Sequence, residues 1–300
     1  MRTRFFGALA IAAVVSVGVL AQDAPFTRTC DMVRNFPAFH ACAVENMDSY
    51  QPELTADGTP DLNGIWRPTR IAQDIEEIVP GQYGNFPHMH TLIVDPPNGK
   101  FPYNEWAMKE RFNNEQVYLS PTAVCLPVAQ PRWSYSPVSL TGHRIMQQED
   151  LIVFSMERLH TYRMIHMDNR PLLPADIHLW QGDSRGHWDG NTLVIKTTNL
   201  NDLMWMDHIG TFLSPDVVTE ERITFVDENT LHYEQTITDP NVFTQPVTIS
   251  VPMLRALPSD NPVDAMDLED TSAENCEEEL IHMMNVGQTP FPGYEAIAPK

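Results

Sequence analysis

From residue 143 onward the chain is written in short stretches of alternating character, and this run limits the available folds more than any other feature. Arg144–Gln148, Leu151–Glu157 and His160–Met167 predict three antiparallel strands joined by polar turns such as Gln148-Glu149-Asp150. Thr192–Thr198, Thr219–Phe225, Leu231–Thr238 and Phe243–Val251 continue the series, with Asp227-Glu228-Asn229 as a further hairpin turn. Hairpin links between consecutive strands describe a meander, and no βαβ spacing interrupts it. Open sheet edges invite pairing with other chains, so a meander this long is expected to close into a barrel or fold into a half-open sandwich. The expected class is mainly β, with one or two short helices and an irregular N-terminal arm.

Strand parity then sorts side chains into faces. On Thr219–Phe225, Glu221 shares a face with Ile223 and Phe225; on Leu231–Thr238, Leu231, Tyr233 and Ile237 share one. If apolar faces turn inward, Glu221 goes with them, and a buried carboxylate either serves as a general base or anchors a ligand, or is paired with Arg163 or Arg185 as structure. On His160–Met167, His160, Tyr162, Met164 and His166 lie opposite Thr161, Arg163, Ile165 and Met167. Two His beside a Tyr suit proton transfer on a pocket wall and are equally ordinary on a barrel exterior.

A second dense stretch runs from Trp180 to Asn199. Asp189-Gly190-Asn191 is a tight-turn signal leading into Thr192–Thr198, and Trp180, Asp183, Arg185, His187 and Trp188 precede it on what reads as a connecting segment. With His178 they form one wall of a candidate site. The plainer alternative is an Asp183–Arg185 ion pair closing a loop, with the two tryptophans capping a core.

The N-terminus bears on compartment. Arg2 and Arg4 precede an uncharged run from Phe5 to Leu20, and Val19-Leu20-Ala21 ends in small residues, so 1–21 is expected to be a cleaved secretory signal. The four cysteines all follow it, and disulfides are the expectation in an oxidising compartment: Cys30 with Cys42 as a local loop, Cys125 with Cys276 as a long-range staple, other pairings remaining open. Against a formal net charge of −21, nucleic acid and anionic lipid are unexpected partners.

Residues 22–58 are expected to form a disulfide-tied arm, in which Met32–Met47 includes a short helix interrupted by Pro37. A barrel-like domain spans 59–258, and an acidic segment, 259–300, packs on it or trails from it. Asn104 is expected to cap a helix reaching about Gln116. His88 and His90 sit two apart, as ligands on one strand face would, but the sequence shows no third ligand beside them, and no metal or other cofactor is expected. The acid-rich run from Asp264 to Glu279 lacks the central glycine of an EF-hand.

Thr-Pro-Asp-Leu-Asn-Gly-Ile-Trp at 59–66, Ile-Val-Asp-Pro-Pro-Asn-Gly-Lys at 93–100, Gly-Asp-Ser-Arg-Gly-His-Trp-Asp-Gly-Asn-Thr-Leu-Val-Ile at 182–195 and Glu-Arg-Ile-Thr-Phe-Val-Asp at 221–227 resemble the motifs of a large family of secreted, mostly uncharacterised bacterial proteins. The likeness covers roughly 59–255. It implies a β-rich, lipocalin-like fold and export, and it carries no established activity. Where that family has Asp-Gly-Arg-Pro, this chain has Asp168-Asn169-Arg170-Pro171.

Two functional readings follow. One is an exported binding protein that holds an apolar or aromatic small molecule in a barrel pocket lined by Trp, Met and Phe, with Trp180, Trp188, His178, Tyr162 and Tyr233 as ligand contacts. The other is a cofactor-independent lyase, isomerase or hydrolase. In that reading Glu221, His166 or His160 is the base, Arg163 and Arg185 steady negative charge, and Asp183 completes the set. No nucleophile elbow, phosphate loop, dinucleotide fingerprint or zinc signature is present.

Overall fold

Nine strands close into a ring. In the computed structural model, which describes residues 28–32, 34–69, 74–82, 88–124, 126–132, 143–156 and 161–256 and the backbone of 289–290, they are β1 (Gly64–Pro68), β4 (His143–Gln147), β5 (Leu151–Met156), β6 (Thr161–His166), β7 (Asp183–Asp189), β8 (Thr192–Thr198), β9 (Val218–Asp227), β10 (Thr230–Thr238) and β11 (Val247–Arg255). Neighbours pair in that order and β1 returns to β11. β2 (Ile93–Asp95) adds to the free stretch of β11, and β3 (Tyr118–Leu119) pairs in parallel with β12 (Thr289–Pro290) in a separate small sheet. The mainly β, lipocalin-like barrel is therefore the fold. It departs from a pure meander in one place: β6 and β7 run parallel.

Closure depends on the segment ahead of β1. The backbone N–H of Leu62 donates to Gln147 Oε1 at 3.0 Å, the N–H of Gln147 donates to Asn63 Oδ1 at 2.8 Å, and the Arg255 guanidinium lies 4.1 Å over the Trp66 ring. These contacts tie residues 62–66 to β4 and β11, which would otherwise be two open edges.

The barrel interior is a packed core and not an open lumen. Trp66, Ile145, Ile152, Phe154, Met156, Ile165, Leu193, Ile195, Ile223, Phe225, Leu231, Tyr233, Ile249, Val251 and Met253 form one buried cluster to which every strand of the ring but β7 contributes, with Trp188 of β7 partly buried against it. Among the described residues, large apolar side chains from eight of the nine strands meet where a central ligand cavity was expected.

Helix α1 (Phe36–Asn46) lies against β11 and β2 on the outside of the barrel. Asn35 caps it by accepting from the Ala38 N–H at 3.2 Å, and Pro37 falls in the first turn, where its missing N–H costs nothing. Pro37 therefore starts the helix instead of interrupting it. The Cys30–Cys42 disulfide closes its N-terminal side, with the sulfurs packed beside Phe39, Ala43 and Val226. Asn104 caps α2 (Glu105–Val117) as expected, accepting from Ala107 N–H at 2.8 Å. The expected Cys125–Cys276 bridge and the acidic run at 264–279 lie outside the described residues.

Candidate functional site

The parallel step leaves an opening in the wall. β6 and β7 pair only at Ile165–Ser184 and His166–Arg185. Just before β7 the chain turns at Gly182, whose φ of +67° an L side chain rarely adopts. Leu179 then pairs with Asn199 and Leu200 instead of with β6: its N–H donates to Asn199 O at 2.7 Å, and Asn201 N–H donates to Leu179 O at 3.0 Å. Asn199, itself at φ 60°, donates its side-chain amide to Pro174 O and Ile177 O, both at 2.8 Å, and so holds the β6–β7 connection outward. The N-terminal half of β6 consequently faces a cleft of about 640 Å³.

Its walls are largely apolar. Tyr162 and Met164 come from the outer face of β6, Pro171 and Leu173 from the connection, Leu179 and Trp180 from the turn before β7, and Pro127 from the 126–132 segment. Tyr162, Met164 and Leu179 are 63, 48 and 41 % exposed. Large apolar side chains are thus gathered, partly exposed, around one concavity. The Trp180 indole donates to Pro127 O at 2.9 Å and the Gln181 amide to Val128 O at 2.8 Å, fixing the far wall.

Polar groups rim the cleft. Arg185 donates to Asp183 Oδ2 at 2.7 Å and to Pro171 O at 2.9 Å, and the Asp183 carboxylate also accepts from Leu173 N–H at 3.1 Å. The pair thus staples the β6–β7 connection to the wall. Arg170 is held by Asp168 through two bonds of 2.8 and 2.7 Å, which keep that carboxyl at about 2, below its ordinary value. His166 is half-buried; burial first, then the Arg170 and Arg185 charges, push its pKa down from its ordinary value.

Behind the cleft a buried polar network runs through the barrel wall into the interior. Arg163 borders the cleft, and its guanidinium points inward and binds both oxygens of the fully buried Glu221. It also donates through Nε to Ser184 Oγ at 3.0 Å and through Nη2 to Thr197 Oγ1 at 2.7 Å. Glu221 further accepts from the Tyr233 hydroxyl at 2.6 Å and the Gln130 amide at 3.3 Å, while Gln235 donates to Gln130 Oε1 at 2.7 Å. Four donors on one carboxylate make Glu221 the anchor of Arg163, with its acceptor positions occupied.

The residues singled out in the sequence therefore divide. Arg163, His166, Asp183, Arg185, Tyr162 and Trp180 line one cleft; Glu221 and Tyr233 sit behind it. Trp188 faces the core from the far end of β7, and His178 is exposed, bonded through Nδ1 to Leu200 O at 3.1 Å, so neither reaches the cleft. His160 lies outside the described residues. The stretch 183–189 is a strand and not a loop, because it finds partners on both sides in β8 and, briefly, β6.

Gln130, Ser184, Thr197, Leu173 and Leu179 were not singled out from the sequence. Parity on the predicted strand 192–198 puts Thr197 on the face of Leu193 and Ile195, but Ser184 lies in a stretch not read as a strand and Gln130 in irregular chain with no periodicity to read. At the His88–His90 pair, folding brings Glu77 Oε1 to 2.7 Å from His88 Nε2, a partner eleven residues upstream that spacing gave no reason to choose. Searches of protein-family models, curated proteins and solved structures find no match to this chain.

Proposed function

We propose that this is an exported small-molecule-binding protein whose ligand, apolar or aromatic in its main body, seats in the cleft between β6 and β7. The observation that carries the reading is the cleft itself, with exposed Tyr162, Met164 and Leu179 opposite an immobilised Trp180 and polar groups confined to its rim and floor. Such a division of apolar walls and few fixed polar groups is that of a ligand site. The Cys30–Cys42 bridge fits an oxidising compartment. With the signal-like 1–21 and the family resemblance, it supports secretion or a periplasmic location. Among the described residues no helix is long and apolar enough to cross a membrane.

The catalytic alternative, a lyase, isomerase or hydrolase, rests on His166, an imidazole on the cleft wall beside Arg170 and Arg185 whose pKa is pushed down chiefly by burial. The engaged state of Glu221 favours binding over base catalysis by that carboxylate. Native mass spectrometry of protein purified from its own compartment tests both. A small molecule retained by wild type and lost by Trp180→Ala supports binding in the cleft, and its conversion by wild type but not by His166→Gln would replace the binding reading with the catalytic one. Protein free of ligand that also binds no aromatic probe would overturn both.

A further inference from the structure

On the opposite side of the barrel, α1 brings His40 over the outer face of β10, 192 positions later in the chain. His40 Nδ1 stands 3.1 Å from His232 Nε2 and 3.5 Å from Glu234 Oε2, and the three donor atoms lie within 4.8 Å of one another. We propose that His40, His232 and Glu234 bind a divalent transition metal of the zinc type.

The donor spacing supports this. Tetrahedral zinc with bonds of about 2.0–2.2 Å holds its ligand atoms roughly 3.3–3.5 Å apart, so the two shortest edges of the triangle already approach that length. Two imidazole nitrogens and one carboxylate form a set that zinc and its neighbours favour over calcium or magnesium. Binding requires both facing ring nitrogens to present lone pairs, which a shift of tautomer provides without net proton transfer. Three protein ligands leave a fourth position for water, and the hydrogen bond between Ser250 Oγ and His232 Nε2, 3.1 Å long, would give way to the ion.

The surroundings hold the ligands in place. His232 is buried, with its ring 5.9 Å from that of Phe39, while His40 and Glu234 are each about a quarter exposed, giving an ion access from solvent. The disulfide at Cys42 and the bond from Thr29 N–H to Asp227 Oδ2 at 3.0 Å fix α1 on the barrel, so the ion adds to a preformed junction instead of assembling one. A second triad among the described residues, Glu77, His88 and His90, lies on a surface segment where Glu77 and His88 are 54 and 43 % exposed, and it serves as the internal control.

The test uses the full chain stripped with EDTA and zinc titrated against a chromogenic chelator. Wild type is expected to bind zinc with micromolar or tighter affinity. His40→Ala and Glu234→Gln should each weaken that binding by about 100-fold, at least the loss usual for outer-shell partners, while the double variant H88A/H90A keeps it. Zinc should also raise the melting temperature of wild type and not of His40→Ala. Near-UV circular dichroism identifies variants that fail to fold, and Glu234→Gln, on the rim, decides the outcome if His40→Ala does not. Undiminished binding by both single variants, loss in H88A/H90A, or no binding by wild type below about 100 µM would each overturn the proposal.

Discussion

Arg163 on β6 and Glu221 on β9, 58 positions apart, meet inside the barrel with each terminal guanidinium nitrogen bonded to a different carboxylate oxygen. Both side chains are essentially shielded from water, so each charge depends on the other for solvation. Replacing either one alone strands its partner. Glu221→Leu or Arg163→Met is expected to cost about 3–5 kcal/mol of unfolding free energy, and the double replacement Arg163→Met with Glu221→Leu less than the sum of the two. Urea unfolding of the four proteins measures this. Additive single losses would show that the pair does not act as a unit.

The cleft makes a separate prediction. Met164 is half exposed on its wall and forms no part of the core, so Met164→Glu should leave stability within about 0.5 kcal/mol of wild type. Placing a charge where an apolar ligand would lie should weaken binding of the neutral probe N-phenyl-1-naphthylamine by about tenfold or more, the equivalent of one lost side-chain burial. Equal fluorescence titrations for the two proteins would remove this wall from the site.

Gly182 sets the direction in which the chain leaves the wall. A Cβ there would lie 2.6 Å from Thr197 Cγ2 and 2.7 Å from Thr198 O, in a backbone conformation already unfavourable to L residues. Gly182→Ala is expected to destabilise by about 1–3 kcal/mol and to perturb probe binding as well. A thermal melt matching wild type would mean that the turn relaxes without cost.

Two buried groups give opposing pH dependences. Burial first, then the Asp74 charge, raise Asp207 from 3.8 to about 7, so its contribution to stability is complete below about pH 4 and is lost as pH rises through 7. Burial lowers His143 from 6.5 to about 3, so its contribution is complete above about pH 6.5 and is lost as pH falls toward 3. Across that shared window they offset each other. Asp207→Asn should therefore steepen the rise of stability from about pH 4 to pH 6.5 and remove the wild-type loss toward pH 8, measured by urea midpoints. Parallel profiles for the two proteins would show that Asp207 ionises normally in the fold.

Much of the barrel was legible because its signal is local. Thr192–Thr198 and Leu231–Thr238 alternate in the sequence and are strands with those parities in the fold, and Asn104 caps a helix as its neighbours require. Asp183–Asp189 was not legible as a strand, because its charged and aromatic residues lack clean alternation and its pairing is supplied by β8. The exchange of interior cavity for lateral cleft was equally hidden. Period-2 patterning says which side chains turn inward, but not whether their summed volume leaves space.

The sequence by itself determined the strand periods, the turns between them and the shared face of Glu221, Ile223 and Phe225; the structure decided that this face is the inner one and that Cys30 pairs with Cys42. Tertiary structure alone decided that Arg163 is the partner of Glu221, that β6 and β7 run parallel and part after two residue pairs, and that His40 reaches His232 and Glu234. The physical reason is range. Backbone propensity and side-chain alternation act over a few residues, whereas charge pairing, wall openings and donor clusters depend on which distant surfaces closure of the barrel brings together.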